Sequence, residues 1–148
     1  MILKKQFCYE YPRPALCSDC IILRKKANRI EVLLIQRAYD PFRGMWAFPG
    51  GFVDEDETTD QAAKRELFEE TGIECFDLQQ LHTFSEPNRD PRGRTVSVVY
   101  YAFVDPETNV KAGDDAKNAE WFPIEKLPEL AFDHSKIIEF AEKTLELN

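Results

Sequence analysis

Three carboxylates crowd the second half of one amphipathic segment, and that crowding constrains this chain more than any other feature in it. The run from Thr59 to Thr71 is predicted to be a helix, with Glu66, Glu69 and Glu70 in its last two turns. Thr58, three residues before Gln61, fits a capping box at its start. Gly72 suits a left-handed stop after Thr71, with Ile73 expected to touch Phe68 as in a Schellman motif. Acids near the negative pole of a helix cost about 0.3–1 kcal/mol each. Spaced i, i+3 and i+4, these three also share a face and repel one another. A bound divalent cation with oxygen ligands is the simplest compensation. At about 100° per residue, Ala63 and Leu67 flank the acids and are expected to be buried. Ala62, one turn before Glu66, leaves room beside them for an ion.

The charge is concentrated in the same place. Of a net −8, residues 51–73 contribute eight acids against two bases, Lys64 and Arg65. The acidity therefore marks a local site and not a polyacidic surface. No basic stripe runs along the chain, which excludes duplex nucleic acid as the expected partner.

The segment resembles the Nudix box, G-x5-E-x7-R-E-U-x-E-E-x-G-U with U aliphatic. It reads here as Gly51, Glu57, Arg65-Glu66-Leu67, Glu69-Glu70 and Gly72-Ile73, with every fixed position filled. The resemblance implies a loop–helix–loop whose carboxylates hold Mg²⁺ or Mn²⁺ against a diphosphate. It makes Glu66 and Glu70 the main metal ligands, Glu69 a frequent third and the Gly51 carbonyl a backbone ligand. Glu57 is similar to the family's further acid, which binds a second metal or orients water, and Arg65 to the arginine that holds the box glutamates. The charge logic agrees: an acid cage repels a diphosphate unless metal inverts the local sign. Metals then polarise a phosphoryl oxygen and activate water. The base is open, with Glu57, Glu86, Asp114, Asp115 and Glu120 as candidates.

The remaining pattern supplies a scaffold. Leu16–Arg24 and Glu31–Arg37 are apolar and β-branched runs joined by a polar KKAN turn, which predicts a hairpin. An extended stretch from Trp46 to Phe52 leads into the box, and Phe76–Ser85, Arg94–Val104 and Ala119–Pro123 are further strand candidates. His134–Leu147 reads as a closing amphipathic helix. The expected fold class is α/β (α+β), a mixed sheet sandwiched between helices, as the resemblance also implies. At 148 residues with 43% hydrophobic content, the chain is expected to form a single domain over residues 1–148 around one sizeable core. No apolar run reaches the roughly 18 residues needed to span a membrane. The N-terminus lacks the apolar core of a signal peptide, so the cytoplasm is the expected location. Cys17 and Cys20 form a CxxC, but Cys8 and Cys75 give no second pair at zinc-ribbon spacing. Reduced cysteines in or near a strand are the preferred reading.

The segments QRAYDPFRGMWAFPGGFVD and SEPNRDPRGRTVSVVYYAFV together resemble the ADP-ribose pyrophosphatase branch and its relatives among NAD-linked repressors. That implies a small-molecule nucleoside diphosphate derivative as partner and hydrolysis of ADP-ribose to AMP and ribose 5-phosphate. Such a pocket wants guanidinium forks for phosphate and an aromatic face for the base. Arg37, Arg43 and Arg94 are the leading phosphate candidates, with Arg89 and Arg92 beside them; Phe42, Trp46, Phe48 and Phe52 are candidates for stacking. The alternatives are cleavage of another nucleotide-sugar or of an oxidised nucleoside triphosphate, or a non-catalytic ADP-ribose sensor. Sensor relatives carry a further DNA-binding domain, for which the sequence ending at Asn148 is expected to have no room. A homodimer, common among the relatives, would complete a pocket; no residue pattern demands it.

Overall fold

A computed structural model describes residues 6–113 and 116–147. In chain order the elements are β1 (Ala15–Lys26), β2 (Arg29–Arg37), β3 (Trp46–Ala47), β4 (Gly50–Phe52), α1 (Thr59–Thr71), β5 (Gln79–Phe84), β6 (Thr95–Phe103), β7 (Ala116–Pro123) and α2 (His134–Thr144). The strands form one mixed sheet ordered β3-β2-β1-β6-β5, with β4 added to β1 and β7 added to β2. β1 and β6 run parallel over nine paired residues, and the other ladders are antiparallel.

β1 shows why the sheet lies between helices. Successive side chains on a strand point to opposite faces, and here both faces are buried. Ile21 and Leu23 pack into one cluster with Ile137, Ile138 and Ala141 of α2. Cys20 and Ile22 pack into another with Ala63 and Leu67 of α1. The same alternation settles the CxxC. Cys17 and Cys20, three apart on one strand, face opposite sides, and the Cys20 thiol donates to the Ala63 carbonyl at 3.4 Å. Neither a disulfide nor a shared metal fits that geometry, and all four cysteines are free.

The predicted hairpin is present. It turns on Ala27 and Asn28, whose φ angles of 53° and 61° are those of the type I′ turn that matches strand twist. The extended stretch at Trp46–Phe52 divides, however. β3 pairs with β2 and β4 with β1, and Phe48-Pro49 crosses between them. Proline has no ladder donor, but the Pro49 carbonyl accepts from the Cys20 N–H at 2.8 Å. Boundaries shift elsewhere: β5 starts at Gln79, since Phe76 is 77% exposed, and α2 stops at Thr144. No helix among the described residues is long and apolar enough to cross a membrane.

Candidate active site

The box helix forms where its local chemistry dictates. The Thr58 hydroxyl accepts from the Gln61 N–H at 3.0 Å, and the Gln61 side chain accepts from the Thr58 N–H at 2.9 Å. At the other end Gly72 adopts φ 76°, and its N–H donates to the Phe68 carbonyl. This is the simpler αL stop and not the expected Schellman pattern: the Ile73 N–H turns to the Thr71 hydroxyl. Ile73 is buried with Leu67 while Phe68 stays half exposed. The last turn carries no basic side chain. Its carbonyls are met by a later loop instead, with Lys111 N–H on Thr71 O and Gly113 N–H on Glu70 O, both at 2.9 Å.

Two glycines then bring the strand preceding the helix against the acids. The Gly50 N–H donates to Glu70 Oε1 at 2.8 Å. A Cβ on Gly51 would stand 2.5 Å from Glu66 Oε1, and one on Gly50 would stand 2.5 Å from the Ser18 carbonyl oxygen. Both positions need glycine because backbone and carboxylate approach so closely.

Arg65 organises the acids from the side. Its Nε and Nη2 donate to both oxygens of Glu57 at 3.0 and 2.6 Å. Nη1 reaches Glu66 at 2.8 Å and Glu69 at 3.3 Å, and Nη2 also meets the Phe52 carbonyl at 3.1 Å. The bonds to Glu57, foremost among these contacts, hold the guanidinium well above its ordinary pKa. The same bonds hold the Glu57 carboxyl below its own. Among the described residues no three acidic, histidine or cysteine side chains stand ready-made as a metal cage. The donor chemistry nonetheless fits a hard cation: the carboxylates of Glu66 and Glu70 with the Gly50–Gly51 backbone beside them are all oxygen ligands of the kind Mg²⁺ and Mn²⁺ take.

Glu70, Gly50 and Gly51 form one side of a cleft of about 60 Å³, whose opposite side comes from distant parts of the chain. Arg89 grips Asp133 through two bonds of 2.9 and 2.7 Å. Arg92 grips Asp90 in the same fashion, its Nη2 at 2.8 Å from Oδ2. Burial opposes the Asp90 charge, but the Arg92 hydrogen bonds outweigh it and hold the carboxyl low. Asp19, on β1, receives the Ser97 hydroxyl; burial, partly offset by that bond, pushes its pKa up to about 6. Burial, aided by nearby Arg89, pushes His134 down to about 3. The imidazole is therefore neutral, and its Nδ1 accepts from the Phe48 N–H at 3.2 Å.

The predicted site residues separate by position. Gly51, Glu66, Glu69, Glu70, Glu57 and Arg65 come together as one network. Of the three leading arginines, Arg37 lines the cleft, with its Nε on the Pro41 carbonyl at 2.7 Å. Arg43 is exposed beside Asp40. Arg94 is exposed at the foot of β6, where its carbonyl receives the Ala15 N–H. Among the base candidates, Glu86 and Glu120 are exposed and away from the cleft, and Asp114 and Asp115 lie outside the described residues. Of the aromatic candidates, Phe48 is buried and stacked on His134, and Trp46 meets Phe122 edge-on. Phe42 meets Phe132 edge-on, and Phe52 lies under Arg92. Sequence reasoning missed Asp19, Asp90, Phe132 and His134. Only Asp19 left a signal, a lone carboxylate in the apolar run CSDCIIL.

A family profile described as NUDIX domain matches residues 14–141. The chain is 48% identical over 128 residues to an ADP-ribose pyrophosphatase of Methanocaldococcus jannaschii, covering 86% of this chain and 73% of that protein. It is 35% identical to an ADPR-responsive transcriptional repressor of Acinetobacter baylyi, covering 89% of this chain and 54% of the repressor. Among solved structures, the NUDIX domain of Shewanella oneidensis NrtR complexed with ADP ribose superposes with a TM-score of 0.85 at 33% identity. That match covers 91% of this chain and 90% of the other. Box, fold and kinship agree, and the chain belongs to the NUDIX domain family.

Proposed function

We propose that this protein is a metal-dependent pyrophosphatase that hydrolyses ADP-ribose to AMP and ribose 5-phosphate. The observation that carries the reading is the seating of Glu66 and Glu70 against Gly50–Gly51 at the edge of a cleft. Carboxylate oxygens gathered beside bare backbone are the donor set that a hard divalent cation takes. The 48% identity to an ADP-ribose pyrophosphatase supports the substrate.

Glu66, Glu69, Glu70 and the Gly51 carbonyl would hold Mg²⁺ or Mn²⁺. When bound, the metal supplies charge neutralisation for the diphosphate and a water of lowered pKa. The protein's own groups prepare that event. Arg65 spans Glu66 and Glu69 and keeps them from splaying. Glu57, with both oxygens engaged, acts through Arg65 as a positioning residue, because a carboxylate fixed by a guanidinium is a weak proton acceptor. Arg37, in the cleft wall near Glu70, is placed to meet a phosphate oxygen.

The test is incubation with ADP-ribose and either metal, with products separated by chromatography. AMP and ribose 5-phosphate in equal amounts are expected. Tight binding without AMP release would make the protein an ADP-ribose sensor instead.

A further inference from the structure

The cleft wall opposite the box has no task in the hydrolysis just outlined. It is closely built: Arg89 and Arg92 are each committed to a carboxylate, and Asp19 and His134 are almost fully buried. Resting on the ADP-ribose reading, we propose that this recess receives the sugar of the non-nucleoside half of the substrate, with His134 Nε2–H donating to a pentose hydroxyl.

Three observations favour a sugar over the other parts of such a substrate. A phosphate is disfavoured at this wall because Arg89 and Arg92 are already committed to carboxylates and Asp19 and Asp90 face the same space, which leaves Arg37, beside Glu70, for the diphosphate. A base is disfavoured because the ring faces are taken. Phe48 is stacked on His134 at 4.8 Å. Phe132 has Arg37 and Arg92 over it, each at 4.9 Å, and Arg92 also covers Phe52 at 4.7 Å. What the wall does offer is a mixture of acceptors and donors, and hydroxyls both donate and accept.

His134 sharpens the assignment. Its Nδ1 accepts the Phe48 N–H, so the neutral ring carries its proton on Nε2. No protein acceptor for that N–H is found among the described residues. Phe132, two residues earlier, holds φ 53°, a conformation bulky side chains rarely adopt. The recess is continuous with Gly50, Gly51 and Glu70, so a group one bond from the diphosphate reaches it.

The chain has two histidines, and the exposed one is His82. Imidazole NMR signals are therefore assigned by comparison with a His82→Gln protein. Ribose 5-phosphate, AMP and inorganic phosphate are then titrated into the wild-type protein with magnesium present. Saturable shifts of the His134 signals with ribose 5-phosphate, and not with phosphate or AMP, are expected. No response to ribose 5-phosphate, or an equal response to AMP or phosphate, overturns the proposal. In kinetics, His134→Phe should raise KM for ADP-ribose about tenfold, the worth of one hydrogen bond. His134→Gln, which keeps a donor, should recover part of that loss, and kcat should hold in both. A fall in kcat alone, with KM unchanged, also overturns the assignment. The titration needs no turnover, so a protein that binds ribose 5-phosphate yet leaves ADP-ribose intact refutes the hydrolase reading and not this one.

Discussion

The two walls of the cleft handle charge in opposite ways. On the α1 side Glu57, Glu66, Glu69 and Asp54 gather around one arginine. On the far side Arg89 pairs with Asp133 and Arg92 with Asp90, one to one. The difference teaches what each wall is for. On the proposed reading, the acid-rich cluster would take an ion and through it a diphosphate, whereas the paired wall gives a rigid polar surface that presents hydrogen bonds.

The largest expected effect breaks the first wall. Glu70→Gln removes one ligand charge and keeps the shape that accepts the Gly50 N–H. Turnover should fall on the order of a thousandfold, because metal ligation supplies several kcal/mol of barrier lowering. The melting temperature should stay near wild type; equal turnover in the variant would refute the role.

Breaking the second wall should tell in stability more than in chemistry. Arg89 is 5% exposed at its side chain and Asp133 14%, so Arg89→Ala strands a buried carboxylate. The cost should be about 3 kcal/mol in denaturant unfolding, and a loss below 1 kcal/mol would show that water enters the wall and solvates Asp133.

Arg65→Lys tests how the acids are held. A lysine cannot span both oxygens of Glu57 while reaching Glu66. Metal affinity, measured by activation with Mn²⁺, should weaken about 10-fold or more. An unchanged activation curve would mean the glutamates orient themselves.

Acid titration separates the walls further. His134 sits near 3 when folded against an ordinary 6.5, so the unfolded chain binds a proton there that the folded one refuses. Its contribution to stability is lost as pH falls from about 6.5 toward 3. Asp19 works the other way: raised to about 6 from 3.8, it favours the folded state as pH falls between those values. In thermal melts from neutral to acid pH, His134→Gln should therefore lose less stability than wild type, and Asp19→Asn should lose more. Parallel curves would place both groups in water. The smallest effect is Thr58→Ala, which removes the helix cap for about 1 kcal/mol and should lower the melting temperature while leaving KM alone.

The first wall was legible in sequence because its parts are near neighbours along the chain. Helix period, capping box, glycine stop and carboxylate spacing are all local, and α1 starts and ends where they indicate. Most strands were legible for the same reason, as apolar runs between turns. Where the reading slipped, contacts distant in sequence decided. The stretch from Trp46 to Phe52 splits because β2 and β1 each claim part of it, and β7 extends back to Ala116 because Arg37 pairs there. No local pattern carries that information.

The far wall shows the limit most plainly. Arg89 and Asp133 are 44 positions apart, Ser97 and Asp19 78, and Phe48 and His134 86. The sequence alone determined the box helix, the balance of charge within it and the family it resembles, since each depends on residues within a few helical turns. Only the tertiary structure decided which arginines are already spent, which histidine is buried and neutral, and what lines the rest of the cleft. Those properties arise from desolvation and pairing, and neither exists until remote strands and loops have closed on one another.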